Sequence, residues 1–249
     1  WWLVFATLFG GTLSSAGANA INQAIDRDID RLMSRTKGRP LPTGRISTRA
    51  VVMFGAGLGV AGFVWLWVTT NLLAASLSTL GLLFYVFVYS LLLKRSTTQN
   101  IVIGGAAGAV PALVGWAAVT DTVALPAWIM FAIVFFWTPP HFWALAIRYR
   151  DDYQRAGVPM LPVVVGEKRA LDHMVAYTVA LVGTTLLLYP AGPVGWIYLV
   201  VAALAGLGFL VGTWMLHDHP EAAMKYFGYS NVYLSVIFIA IAVDVLVLA

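Results

Sequence analysis

Between Asn19 and Arg45 the chain reads NAINQAIDRDIDRLMSRTKGRPLPTGR. An uncharged apolar run, residues 1–18, precedes this stretch, and another apolar run begins near Val51. Counting on to Arg49, three acidic and seven basic residues crowd into this interval, although only 10% of the whole chain is charged. A short, densely charged connection between two long apolar runs is typical of a loop between membrane-spanning helices.

Composition assigns the chain to the polytopic membrane proteins. Apolar residues make up 60% of its 249 residues, and the mean hydropathy is +0.83. Runs of about 20 apolar residues are read as membrane spans, and several follow one another here. We therefore expect an all-α transmembrane helical bundle, with residues 1–249 forming a single membrane-embedded domain. The lack of cysteine excludes disulfides, thiolate catalysis and cysteine metal sites.

Eight spans are predicted, and the charge of the loops alternates along them. The predicted spans are residues 1–25, 49–69, 72–93, 101–119, 125–147, 169–189, 193–215 and 229–248. All fifteen Lys and Arg residues lie in the loops after the first, third, fifth and seventh spans. Since cytoplasmic loops collect Lys and Arg, we expect these loops to face the cytoplasm. The net charge of +4 then reports topology and contact with anionic lipid headgroups, and does not indicate a nucleic-acid partner.

Within the charged stretch, Asn22, Asp26 and Asp30 are spaced four residues apart. On a helix this spacing puts the three side chains on one face, and Asp28 roughly opposite. Two carboxylates and an amide on one face suit Mg²⁺, which binds through one or two carboxylates plus substrate phosphates. The alternative is that the acids pair only with neighbouring arginines. Because ionisable groups that close a membrane span are functional by default, we predict a metal site.

The basic residues that follow fit the same chemistry. Guanidinium offers forked donors to phosphate oxygens. Arg35, Lys37 and Arg39, one loop from the acids, are therefore predicted to bind phosphate, whereas other basic residues serve topology alone. Together the acids and bases indicate a diphosphate–Mg²⁺ site at a membrane surface.

A weak internal repeat relates residues 26–50 to residues 151–170. Each segment has acids first, then a proline-bounded turn, then a glycine and a basic helix start. Two such halves would place two acidic clusters around a central cavity, with Asp151 and Asp152 as a second Mg²⁺ anchor. Chance similarity between two cytoplasmic loops is the alternative.

His141 lies inside a predicted span, directly after Pro139 and Pro140. Two consecutive prolines are expected to break the helix there, which membranes tolerate where the backbone is buried in protein or lines a cavity. One interpretation is a neutral His bonded to a freed carbonyl, and the other is a ligand or proton carrier in a substrate cavity. Some of the aromatic residues could also line a cavity and stabilise a carbocation.

The motif Asn22-x-x-x-Asp26-x-x-x-Asp30 resembles the first metal motif of the UbiA-type intramembrane prenyltransferases. The resemblance is closest to the branch that farnesylates heme b, and it extends over residues 26–41, 89–95, 100–105, 139–142 and 152–162. The family has nine spans, so its first helix is expected to be missing here, as the lack of an initiator Met also indicates. The second acidic motif departs from quinone-pathway relatives, since Tyr149 and Tyr153 stand at the positions of their acids.

The resemblance implies an Mg²⁺-dependent transfer of farnesyl from farnesyl diphosphate to a vinyl group of heme b, giving heme O for terminal oxidases. Heme b is then a substrate, whose iron His141 could ligate. The implied metal ligands are Asn22, Asp26, Asp30, Asp151 and Asp152, of which Asp26, Asp30 and Asp152 are also the implied catalytic residues. The implied substrate-binding residues are Arg27, Arg31, Arg35, Lys37, Arg39, Lys94, Arg95, Asn100, His141, Arg148, Tyr149 and Tyr153. A bacterial plasma-membrane location with a cytoplasmic-side active site, and contact with heme A synthase or terminal-oxidase assembly, are also implied.

Two other functions are compatible with the residues. A relative that prenylates an aromatic quinone precursor would share the fold and the metal, although Tyr149, Tyr153 and the Pro-Pro-His run argue against it. A transporter could also place acids at broken helices. It would be expected to hold ionisable groups at mid-membrane, where only Asp244 lies in this chain.

Overall fold

The computed structural model describes residues 1–248, and Ala249, the last residue of the predicted domain, lies outside that range. Every regular element of the described chain is helical. The helices are α1 (Trp2–Ile25), α2 (Arg27–Leu32), α3 (Thr48–Thr69), α4 (Leu72–Leu83) with a π-helical extension (Phe84–Leu93), α5 (Asn100–Thr120), α6 (Leu125–Arg148), α7 (Arg150–Arg155), α8 (Leu161–Val165), α9 (Glu167–Ala191), α10 (Trp196–Met215), a 3₁₀ turn (Pro220–Ala222) and α11 (Ala223–Leu248). The predicted all-α membrane class is confirmed.

The predicted count of eight spans is wrong by one. Seven helices of the described chain are long and apolar enough to cross a membrane. The predicted first span, residues 1–25, is not among them. It forms the 24-residue helix α1, but polar and small residues replace the hydrophobic ones over its second half, from Ser14 to Gln23. Its length was predicted correctly, whereas its apolar content was overestimated.

The chain divides into two compact units. The first unit comprises residues 1–123 and 151–159, and holds α1 to α5 together with α7. The second unit comprises residues 124–150 and the described chain from residue 160, and holds α6 and α8 to α11. The segment 151–159, which carries the second pair of acids, thus belongs to the first unit although it follows α6 in the chain.

In the first unit, α1 and α3 approach each other closely along glycines. A Cβ added at Gly17 would lie 2.6 Å from the Gly55 carbonyl oxygen, and one added at Gly62 would lie 3.0 Å from the Ser14 nitrogen. Small residues let two helix backbones pack directly, which is a common device in membranes. This packing fixes α1, and with it the face that carries Asn22.

The third predicted span is not a uniform α-helix. Its second half, Phe84–Leu93, is π-helical, and it ends with the Lys94 nitrogen donating to the Tyr89 carbonyl at 2.8 Å. A π turn contains an extra residue, so it shifts which side chains face a neighbouring helix, and such segments often occur at functional sites. In the second unit the predicted break at the two prolines is also absent.

Helix α6 runs unbroken through Pro139 and Pro140. The two prolines lack the N–H groups that would bond one turn earlier. Helix α11 holds α6 on both sides of them, because Trp137 Nε1 donates to the Ser230 carbonyl at 2.8 Å and His141 Nδ1 lies 2.7 Å from Ser230 Oγ. Packing within this unit therefore keeps the helix continuous despite two missing hydrogen bonds.

Candidate functional site

Asn22, Asp26 and Asp30 lie on one buried side at the junction of α1 and α2. The Asp26 nitrogen donates to the Asn22 carbonyl at 2.9 Å, and the Asp30 nitrogen donates to the Asp26 carbonyl at 2.8 Å. Helical spacing therefore continues across the break between the two helices. The three residues are 7%, 1% and 4% exposed, whereas the Asp28 side chain is 68% exposed. The structure thus places the four side chains as their spacing predicts.

The two carboxylate oxygens of Asp26 have different surroundings. Oδ2 accepts a hydrogen bond from Asn22 Nδ2 at 2.9 Å and forms an ion pair with Lys94. Asn22 Nδ2 also donates to Ser90 Oγ at 2.9 Å, which holds the amide in place. Oδ1 is buried without a hydrogen-bond partner in the described chain, and Arg95 Nη2 lies 4.0 Å from it.

Asp30 is held from the loop that follows α2. Arg39 Nη1 donates to Asp30 Oδ2 at 2.9 Å, and Thr36 Oγ1 donates to the Asp30 carbonyl at 3.0 Å. The acids of this face therefore do pair with basic residues, but with Lys94 and Arg39 rather than with the adjacent arginines. The pairs bring a cation beside each buried carboxylate.

Lys94 is positioned by two features of the first unit. The π-helical extension ends directly before it, and Asn100 Nδ2 donates to its carbonyl at 3.2 Å. Asn100 is fully buried. Gly104 allows close packing in the same region, since a Cβ at this position would lie 2.2 Å from the Tyr89 ring. Residues 89–95 and 100–105, two of the stretches that carry the family resemblance, thus meet beside Asp26.

Asp152 and Asp151 have different positions. Asp152 is buried, and its Oδ2 accepts from the Ser34 nitrogen at 2.9 Å and from Ser34 Oγ, while its Oδ1 pairs with Arg155. The Ser34 hydroxyl bond, with help from the Arg155 charge, holds the pKa of the Asp152 carboxyl below its ordinary value. Asp151 is exposed. Tyr153, the next residue in the chain, is also buried.

The residues expected to bind substrate separate into groups. Arg39 reaches Asp30, whereas Arg35 and Lys37 are exposed in the same loop. In the second unit, Arg148 is exposed at the end of α6, and Tyr149, which follows it, is half-buried.

Arg27, Arg31 and Arg95 instead surround Asp28, on the exposed side of α2. Arg95 donates from both Nη atoms to the Asp28 carboxylate at 2.7 Å, and it also donates to the Ile25 carbonyl at 3.0 Å. This pair lowers the pKa of Asp28 to about 2 and raises that of Arg95. The side chains border an open groove of about 620 Å³.

His141 lies in the second unit, between two aromatic rings. Its ring stacks on Trp137 and on Phe227, with centroids 4.1 Å apart in each case. Ser230 Oγ donates its single hydrogen to the Phe227 carbonyl at 2.7 Å, so His141 Nδ1, also 2.7 Å from Oγ, carries the proton of that contact. This assignment of the Ser230 hydrogen corresponds to the Nδ1–H tautomer, with the lone pair on Nε2. The bond to a freed backbone carbonyl, one of two predicted possibilities, is not formed through Nδ1.

Asp244, expected to lie deep in the last span, is near the end of α11 and contacts the start of α10. It is fully buried, and its carboxylate accepts from the Gly195 nitrogen and from the Tyr198 nitrogen at 3.3 Å. A carboxylate placed so caps the first turn of α10. Capping accounts for this acid and removes the feature that favoured a transporter.

Comparison with known proteins assigns the chain to a family. A model of the UbiA prenyltransferase family matches residues 1–237. The chain belongs to the UbiA prenyltransferase family. Its relatives include protoheme IX farnesyltransferase 2 of Saccharopolyspora erythraea, 52% identical over 98% of this chain and 76% of the relative. They also include protoheme IX farnesyltransferase of Gloeobacter violaceus, 51% identical over 97% of this chain and 80% of the relative.

Solved structures show the same fold. A UbiA homologue from Aeropyrum pernix matches with a TM-score of 0.75 at 24% identity, over 97% of this chain and 96% of that one. A UbiA homologue from Archaeoglobus fulgidus, bound to DMAPP and Mg²⁺, matches with a TM-score of 0.69 at 18% identity, over 97% and 88%.

The buried acids of this UbiA chain fit a magnesium ion. Asp26 Oδ1 is an anionic oxygen that is buried without a donor, and Asp30 and the Asn22 amide share its side. Within residues 1–248 no cluster of three or more His, Cys, Asp or Glu side chains is found. Mg²⁺ binds through one or two carboxylates together with water and substrate phosphate, and the oxygens of Asn22, Asp26 and Asp30 are donors of this kind.

Three serines that position the functional side chains were not predicted from the sequence. Ser90 holds Asn22, Ser34 holds Asp152, and Ser230 sets the tautomer of His141. Each bond joins residues 68 to 118 positions apart. A hydroxyl carries no charge pattern or spacing that would have indicated such a partner.

Proposed function

We propose that this UbiA-family chain transfers the farnesyl group of farnesyl diphosphate to a vinyl group of heme b, giving heme O and diphosphate. The observation that carries the proposal is its identity of about half to relatives named protoheme IX farnesyltransferase, over nearly its whole length. Residues 1–249 would act as one prenyltransferase domain.

The proposed reaction balances as follows. The allylic C–O bond of farnesyl diphosphate breaks, and its electron pair leaves with the diphosphate. The vinyl π electrons form the new carbon–carbon bond, and a water molecule adds its oxygen to the resulting cation and loses a proton. The product carries a hydroxyethylfarnesyl group.

Asn22, Asp26 and Asp30 would hold Mg²⁺ in this scheme. When bound, the ion would neutralise the departing diphosphate as a Lewis acid and orient it. The donor-free Asp26 Oδ1 supports this assignment, as does the Mg²⁺ bound with DMAPP in the Archaeoglobus fulgidus homologue.

Fixed cations would add to the same effect. Lys94 and Arg39 already lie against the acids, so they supply positive charge where negative charge develops on the leaving group. Arg35 and Lys37 would contact the diphosphate from the exposed part of the same loop.

Asp152 is proposed to keep that loop in place. Both of its oxygens are engaged, by Ser34 and Arg155. Since Ser34 directly precedes Arg35, this contact fixes the start of the segment that leads to Arg39. A second Mg²⁺ at Asp151 and Asp152, as their sequence implies, would require Asp152 to exchange these donors for the metal.

His141 is proposed to orient the acceptor. Nε2 is the ring nitrogen left for a ligand, because Nδ1 is hydrogen-bonded to Ser230. A neutral imidazole nitrogen of this kind is a good ligand for iron, and the heme iron of the substrate is the proposed partner.

The chain is a multi-pass membrane protein. We propose that it resides in a bacterial plasma membrane, with the site on the cytoplasmic side where the basic loops lie. Its product would then pass to heme A synthase or to terminal-oxidase assembly.

Mass spectrometry tests the reaction. Purified protein is incubated with farnesyl diphosphate, Mg²⁺ and either heme b or an aromatic quinone precursor. The expected result is a hydroxyethylfarnesyl heme, with no prenylated aromatic. Prenylation of the aromatic acceptor alone would replace the proposal with the quinone-type activity.

A further inference from the structure

The open groove on the exposed side of α2 takes no part in the proposed reaction. It has a volume of about 620 Å³, and its lining includes Arg27, Asp28, Arg31, Arg95, Thr48 and Leu91. The carboxylates of Asp26 and Asp30 are buried on the other side of the same helix, whereas Asp28 is exposed. The groove borders the predicted metal site, since its lining also includes Ser90, which accepts from Asn22, and Arg95, which lies 4.0 Å from Asp26 Oδ1.

The groove has an excess of positive charge. Three guanidinium groups border it, and Asp28 is the one carboxylate in its lining. Arg95 is committed to Asp28 through two hydrogen bonds. In the described part of the chain, Arg27 and Arg31 form no ion pair, and Arg27 Nε is buried without any hydrogen-bond partner. Arg31 Nε donates to the Pro42 carbonyl at 3.4 Å, which leaves its Nη atoms and the Arg27 guanidinium for an anion.

The groove also lies where helices of the first unit begin and end. Ala24 and Ile25 are the last residues of α1, Thr48 is the first of α3, and Leu91 is near the end of the π-helical extension. Helices that span a bilayer end at the headgroup level, where Lys and Arg meet lipid phosphates. The aliphatic side chains of Ile25 and Leu91 continue the lining next to the arginines.

We infer that this groove binds an anionic glycerophospholipid, with Arg27 and Arg31 on its phosphate and with Ile25 and Leu91 beside its acyl chain. Two observations favour this ligand. A phosphate would pair with two guanidinium groups that form no ion pair in the described chain, and the aliphatic side chains of the lining lie next to the spans. The inference is independent of which acceptor is prenylated.

Native mass spectrometry of the purified chain, equilibrated with phosphatidylglycerol or phosphatidylcholine in detergent, tests this site. Wild type should retain phosphatidylglycerol in preference to phosphatidylcholine. Arg27→Gln with Arg31→Gln should weaken that binding roughly 30-fold, since each basic residue near a lipid surface contributes about fivefold. Arg45→Gln, an exposed arginine of the same loop outside the groove lining, is the matched control and should bind as wild type does.

A second variant, expected to bind phosphatidylglycerol more tightly, tests the inference even if the double variant does not fold. Asp28→Asn removes the carboxylate of the groove and should increase retention of phosphatidylglycerol. Unchanged binding in both the double variant and Asp28→Asn would overturn the inference. Displacement of the lipid from wild type by inorganic diphosphate would also overturn it, because the groove would then be a diphosphate site.

Discussion

Asp26 is the residue on which the proposed chemistry depends most. One of its oxygens is shared by Asn22 and Lys94, and the other is buried without a donor. An unsatisfied buried polar atom costs about 1–3 kcal/mol, and a bound cation is one way to satisfy an anionic oxygen of this kind. Until such a ligand binds, the ion pair with Lys94 balances the negative charge of the carboxylate. This asymmetry supports a metal ligand more strongly than a structural ion pair, in which both oxygens would be paired.

His141 depends in the same way on Ser230. Replacing Ser230 by Ala removes the acceptor for Nδ1–H, so the imidazole can take the other tautomer or rotate. We expect the absorption band of bound heme to shift and turnover with heme to fall by about tenfold, the usual cost of losing a partner of a metal-ligating His. The KM for farnesyl diphosphate should stay at the wild-type value.

Ser230→Thr, which keeps a hydroxyl, is the control and should restore the spectrum. His141→Ala should remove the band altogether. Wild-type spectra and turnover in both Ser230→Ala and His141→Ala would reduce the pair to a structural contact between α6 and α11.

Site residues with a distinctive charge or spacing could be identified from the sequence alone. Asn22, Asp26 and Asp30 share a buried side because helical periodicity alone requires it. The cations that reach two of these acids were not assigned correctly, since the adjacent arginines were the obvious partners and Lys94 is 68 positions from Asp26. Such pairs depend on how helices meet, which local sequence does not specify.

Helix α1 owes its position to close backbone contact with α3. A methyl group at Gly17 would lie 2.6 Å from the Gly55 carbonyl oxygen, so Gly17→Ala should force the helices apart. We expect a loss of about 1–3 kcal/mol in stability, the usual cost of overpacking. Thermal unfolding in detergent measures it.

Gly11→Ala is the matched control on the same helix, because nothing lies within 4 Å of the Cβ it would introduce. It should be neutral or stabilising by about 0.5–1 kcal/mol, since alanine loses less backbone entropy in a helix. Equal destabilisation by the two substitutions would show that contact with α3 does not hold α1.

Two of the elements that differ from expectation, the π-helical extension and α6, do so for tertiary reasons. Hydropathy located the span 72–93, but not its π-helical half, because the extra residue per turn leaves no mark on an apolar run. The prolines of α6 were expected to break it, and contacts to α11 keep it continuous instead. Periodicity describes a helix in isolation, whereas these features arise where helices pack.

At the scale of the whole chain, charge follows the order of the predicted spans. Basic loops follow alternate predicted spans, and the acids and bases of the first-unit site lie in or beside two of these loops. The family match and the solved UbiA homologues support the helical architecture, although one of the eight predicted spans is less apolar than expected.

Single cysteines test this topology cleanly, since the chain has none of its own. Cysteines at Ser47, Ser96 and Gln154 should react with an impermeant reagent only from the cytoplasmic side. Those placed at positions 71, 121 and 192 should react only from outside. Reaction of either set from both sides would contradict the predicted topology and, with it, the proposed side of the active site.

The central claim is that one buried side of the α1–α2 junction carries the diphosphate chemistry, and heme farnesylation by two matched variants tests it most directly. Asp26→Asn should lower turnover by about 100-fold or more while the protein stays folded, because it weakens the charge that holds the metal. Asp28→Asn removes a carboxylate two residues away that is exposed and paired on the surface, so turnover should stay within about fivefold of wild type. Equal losses in the two variants would contradict the account.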